Sequence, residues 1–137
     1  MRQVPAKKYL IIGNGRAAKH IGYYLKQLEH SVTYWHYKND SNANSSLNPP
    51  ETLQNLRNKN DTVLLLIKDS AIEDFITRHS FLRTTKTIHF SGSLDISGIS
   101  NVHPLISFGP DLFPADFYQR IPFAQFDSSE KSLQDFL

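Results

Sequence analysis

The stretch YLIIGNGRAAKHIGYYLKQLEHSVTYWHYKND, residues 9–40, decides how this chain folds. Tyr9–Ile12 is an apolar run that ends at Gly13, the pattern of a short strand covered on both faces. From Arg16 to Glu29 the apolar residues Ala17, Ala18, Ile21, Tyr24, Leu25 and Leu28 recur at spacings of three and four, which gives a helix one apolar face. Val32–Tyr37 is rich in β-branched and aromatic side chains and reads as a second strand. Strand, glycine turn, helix and strand within about thirty residues make a βαβ unit.

Working outward, the polar tract KNDSNANSSLNPP reads as a loop, and Pro49 and Pro50 are placed to open a short helix over Glu51–Asn58. Thr62–Ile67 (TVLLLI) is almost unbroken in its apolarity, as expected of a central strand. Ser70 is the expected cap of a helix reaching about His79, with Glu73 completing a capping box. Thr87–Phe90, Val102–Ile106 and Phe123–Phe126 are further strand candidates, and Asp127 with Glu130 forms a second capping box. This alternation predicts an α/β fold: a doubly wound, mostly parallel sheet of about six strands with helices on both faces. Residues 1–127 are expected to form one domain, and residues 128–137 to begin a C-terminal helix.

Composition narrows the function classes. The 137 residues are 39% hydrophobic and 12% aromatic, enough for a real core. A net charge of +2 without runs of like charge argues against nucleic acid as a partner. With no cysteine there is no disulfide and no thiolate chemistry, which fits a reducing compartment, and a cytoplasmic location is expected. No apolar stretch approaches the length of a membrane span, so no membrane partner is expected.

Gly13, Asn14, Gly15, Arg16, Ala17 and Ala18 match G-x-G-x-x-A, the dinucleotide fingerprint. The first glycine permits the tight turn and the second lets the backbone approach a pyrophosphate. The small third position lets the helix pack on the strand. A phosphate there would sit on the free N–H groups at the helix start. At the end of the second strand an acid would bind the adenosine ribose and repel a 2′-phosphate. This chain offers His36, Tyr37 and Lys38 before Asp40. His36 and Lys38 can donate to a phosphate and Tyr37 can flank the adenine, so NADP is favoured. NAD is the alternative, with Asp40 curling back to the ribose.

These residues carry a resemblance. IIGNGRAAKHI together with HSVTYWHY resembles the N-terminal Rossmann domain of the 6-phosphogluconate dehydrogenase-like superfamily, which includes pyrroline-5-carboxylate reductases, ketopantoate reductases and deazaflavin-dependent NADP oxidoreductases. Tyr37 stands where that pattern often has a phosphate-facing arginine. LLLIKDSAIEDF (64–75) resembles an element whose loop passes near the nicotinamide ribose, which adds Ile67 and Lys68 to the implied cofactor contacts. IHFSGSLDIS and VHPLISF resemble stretches of a less characterised branch of Rossmann-like oxidoreductases. The resemblance implies NADP-dependent hydride transfer on a small-molecule substrate, in a homodimer. Relatives usually continue into a helical second domain, which is expected to be absent here. An apolar surface around Phe123, Phe126, Leu133 and Phe136 is accordingly expected to self-associate.

Hydride chemistry belongs to the cofactor, so protein groups would orient it and handle the proton. Ser91, after a strand and before Gly92, is a substrate-side candidate, against its reading as a turn serine bonding its own backbone. His103 is the second candidate, since imidazole suits proton transfer near neutrality. A structural role competes there, and more strongly at His89. No metal-ligand spacing, G-x-S-x-G elbow or P-loop motif occurs, so zinc, hydrolase and P-loop chemistry are unsupported. Two readings remain: an NAD(P)-dependent oxidoreductase, and a catalytically silent nucleotide-binding module.

Overall fold

A computed structural model describes residues 6–36, 50–124 and 131–132. Tyr37, Lys38, Asp40, Phe126, Asp127, Glu130, Leu133 and Phe136 lie outside these residues. Strands β1 (Lys8–Ile12), β2 (Ser31–Trp35), β3 (Thr62–Leu65), β4 (Thr87–His89) and β5 (Ser100–Asn101) form one sheet in the order β2-β1-β3-β4-β5. Every pairing in it is parallel, with Ile11 opposite Tyr34 on one side and Leu64 on the other.

Helices cover both faces. Alternation along β1 sends Tyr9 and Ile11 to a core shared with Ala18, Ile21, Tyr24 and Leu25 of α1 (Arg16–Gln27). Leu10 and Ile12 join the opposite core, with Leu53 of α2 (Pro50–Asn58) and Ile72, Phe75 and Ile76 of α3 (Asp69–Arg78). All four of these β1 side chains are fully buried, which is why the strand is continuously apolar. The chain has the expected α/β, doubly wound architecture. Its sheet order turns back on itself between β1 and β3, the switch point where ligands bind in open sheets of this kind.

The ends of elements depart from expectation for identifiable reasons. α1 stops at Gln27, and Glu29 takes a left-handed φ of 66°. The His30 N–H then donates to the Leu25 carbonyl at 3.0 Å and that of Glu29 to Lys26 at 2.9 Å, a Schellman closure. The helix expected to be capped by Ser70 starts earlier, at Asp69, with Lys68 at the cap position and no side-chain cap. The capping box with Glu73 is therefore not formed.

The parallel sheet has five strands, one fewer than expected, because neither Val102–Ile106 nor the described part of Phe123–Phe126 joins it. Ser100–Asn101 takes the edge instead. His103–Pro104 (β6) leaves to pair antiparallel with Pro122–Ala124 (β7), itself paired with Lys131–Ser132 (β8). Pro104 has no N–H to give to a central ladder, so it suits a short peripheral sheet. Within the stretch expected to begin a C-terminal helix, residues 131–132 are thus a strand. A short helix, α4 (Ala115–Tyr118), packs against α1, and the buried His20 ring ties the two. His20 Nδ1 lies 2.8 Å from Tyr118 Oη and its Nε2 2.8 Å from the Gly109 carbonyl.

Candidate functional site

The loop between β1 and α1 is built around two glycines with different roles. Gly13 has φ of +136°, and its N–H donates to the Trp35 carbonyl at 2.9 Å, fastening the loop to the end of β2. A Cβ on Gly13 would strike the Leu66 carbonyl. Gly15 is the cap residue of α1, with an ordinary φ of −82°, and a Cβ there would meet nothing within 4 Å. Ala18, the small third position, is buried in the α1 core as its packing role requires.

The start of α1 carries no side-chain cap and no acidic residue in its first turn. Its leading N–H groups and positive dipole end are therefore uncompensated by the helix's own residues. They open into a pocket of about 360 Å³ lined by Gly13, Asn14, Gly15, Arg16 and Ala17 on one side and by Leu66, Ile67, Lys68, Asp69 and Phe90 on the other. The pocket sits at the carboxyl ends of β1, β3 and β4. Arg16 and Lys68 are both exposed cations there, and α3 begins at the same pocket with Asp69 in its first turn. An anion is thus offered backbone donors, a helix dipole and two cations, with one carboxylate nearby.

The structure gathers Gly13 through Ala17 with Ile67 and Lys68 around one pocket, while Ala18 is buried in the core. His36 follows β2 beside the Gly13 fastening but is not among the pocket's lining residues. Tyr37 and Lys38 lie outside the described residues. Asp69 and Phe90 line the pocket without having been singled out. The signal for both was positional, since each stands a few residues past a strand's end.

His103 lies against Gly92, the residue after Ser91. A Cβ on Gly92 would come within 2.9 Å of His103 Cγ, so the exposed imidazole lies across the Ser91–Ser93 turn. Neither Ser91 nor His103 lines the pocket, but Phe90 does, one residue before Ser91. Ser91 itself is buried. Its N–H donates to His89 Nδ1 at 3.2 Å and its Oγ accepts from the Ser93 N–H at 3.2 Å, the bonding of a turn serine. His89 is fully buried, and since Nδ1 accepts, the ring proton sits on Nε2, which has no hydrogen-bond partner among the described residues. Burial pushes the His89 pKa down, against the opposing pull of Asp69, Asp95 and the Leu94 carbonyl. A neutral His89 thus holds the turn.

Among the described residues, no cluster of three or more His, Cys, Asp or Glu side chains could hold a metal ion, and no helix is long and apolar enough to cross a membrane. No protein-family model and no curated protein matches this chain.

Proposed function

We propose that this chain is an NAD(P)-binding Rossmann domain serving an oxidoreductase, with the pyrophosphate on the Gly13–Ala18 loop and NADP favoured over NAD. The observation that carries this reading is Gly15. Its φ is an ordinary one and a Cβ there would meet nothing among the described residues, so the described fold has no use for glycine there. A ligand that must reach the N–H groups of an uncapped helix does. Arg16 and Lys68 supply charge to the phosphates, and the nicotinamide end points toward Phe90 and the Ser91–Ser93 turn, where His103 is the candidate for proton transfer. His36 and Lys38 are the proposed partners of the 2′-phosphate. A catalytically silent nucleotide-binding module is the second reading, favoured by Ser91, whose hydroxyl and N–H are engaged within its own turn.

Calorimetry with NADPH and NADH tests the proposal, alongside Gly15→Val. The wild type is expected to bind NADPH, and a folded Gly15→Val protein is expected to lose that binding. Unchanged affinity in the folded variant would remove the loop from the site.

A further inference from the structure

Asn14-Gly15 is the one Asn-Gly pair in the sequence, and both residues are exposed at the tip of the glycine loop. We propose that Asn14 is a self-modification site, where the side-chain amide cyclises onto the Gly15 nitrogen and reopens as aspartate or isoaspartate, leaving a carboxylate in the pocket.

Three features of the loop favour this chemistry. The ring requires the following residue's nitrogen to reach the Asn14 side-chain carbonyl, and a side chain on that residue would obstruct it. Gly15 has none, and the space beside its Cα is open. Among the described residues neither the Asn14 amide nor the Gly15 N–H has a hydrogen-bond partner that would hold it back. Finally, Gly15 caps a helix whose first turn is free of acids and begins with Arg16. That positive potential stabilises the deprotonated nitrogen that acts as nucleophile.

The step balances without a co-reactant other than water. Hydroxide takes the Gly15 amide proton, the nitrogen attacks Asn14 Cγ, and the Cγ–Nδ2 bond breaks as ammonia leaves with a proton from water. Water then opens the five-membered imide at either carbonyl. Opening at Cγ breaks the new N–C bond and gives aspartate. Opening at the backbone carbonyl gives isoaspartate, with an extra methylene in the main chain. Either product sets a negative charge among the groups proposed above to hold phosphate, a consequence that rests on the dinucleotide reading. A phosphate bound to the Gly15 N–H would conversely occupy the nucleophile and protect the site.

Trypsin cleavage after Lys8 and Arg16 releases YLIIGNGR, in which Asn14 is the sole side-chain amide. After incubation of the folded full chain at mildly alkaline pH, mass spectrometry of this peptide should show the amide-to-acid mass gain, in two chromatographic forms. Gly15→Ala, which the open space accommodates, should keep the original mass. An unshifted peptide from the folded chain, under conditions that convert the synthetic peptide, overturns the proposal. NADPH should slow the conversion, and Asn14→Asp should weaken NADPH binding roughly tenfold or more. Equal affinities for Asn14→Asp and wild type would overturn the effect on binding. Fresh wild type that binds no NADPH would instead sink the dinucleotide reading, and the peptide alone would then decide the modification.

Discussion

At Gly13 the main chain itself demands glycine, because φ is +136° and the Leu66 carbonyl fills the place of a Cβ. Gly13→Ala should therefore cost about 2 kcal/mol or more, from backbone strain and the displaced strand end. Gly15→Ala should leave stability within about 0.5 kcal/mol, the range of unremarkable surface changes. Chemical denaturation of the two variants makes the comparison, and equal losses would contradict the division of roles. Two histidines set a pH dependence at the same scale. His30 Nδ1 accepts the Lys7 N–H at 3.0 Å, and burial, then the Lys7 charge, lowers its pKa below 6.5. Burial lowers that of His89 in the same direction. Both rings bind protons more weakly folded than unfolded, so their contribution is complete above about pH 6.5 and is lost as pH falls through that value toward the folded pKa. Melting temperature should drop between pH 7.5 and 5.5. The drop should shrink in His30→Asn, whose Oδ1 can accept the same N–H without charging; a flat profile in wild type would refute the assignment.

Among the elements, α1 meets its neighbours at two places that single substitutions can probe. Its Schellman end places Glu29 at φ of 66°, where a side chain costs about 1–2 kcal/mol. Glu29→Gly should thus raise stability by about 0.5–1 kcal/mol after the added freedom of the unfolded chain is counted. That corresponds to a few degrees of melting temperature, and a lowered one would show the strain to be absorbed elsewhere. Further along the helix, Tyr118 Oη accepts the Phe113 N–H at 3.1 Å and donates to His20 Nδ1, while His20 Nε2–H donates to Gly109. Tyr118→Phe keeps the ring packed against Tyr24 and leaves the buried His20 Nδ1 and the half-buried Phe113 N–H without this partner, at a cost of about 1–3 kcal/mol. If denaturation finds no loss, the chain of bonds from loop to helix contributes nothing to the fold.

For the whole molecule, the pocket at the sheet's switch point is an electropositive cleft with one acid, Asp69. NADPH binding should weaken as salt rises, and the preference over NADH should be roughly tenfold at low salt, since a charge-assisted hydrogen bond contributes about 1.5–3 kcal/mol. Lys38→Ala should remove most of that preference while leaving the binding of NADH unchanged. Equal affinities in wild type would transfer the ribose to Asp40 and the assignment to NAD.

Local sequence determined the parts of this protein that short-range physics controls. The apolar run Tyr9–Ile12, the helical spacing from Ala17 to Leu25 and the glycines between them specify strand, helix and turn without reference to the rest of the chain. The α/β architecture follows from their alternation. Tertiary structure decided whatever depends on contacts between distant segments. Pro104 could be read as strand from its neighbours, but the missing N–H sends it out of the parallel ladder into a small antiparallel sheet. Asp69 starts α3 in place of Ser70's expected cap, bringing a carboxylate to the pocket rim. The His103 imidazole, which arrives from another strand, lies against the Ser91–Ser93 turn only because Gly92 leaves room for it. The two fingerprint glycines look alike in sequence. One is required by a carbonyl fifty-three residues away, the other by nothing among the described residues, and only the folded backbone tells them apart.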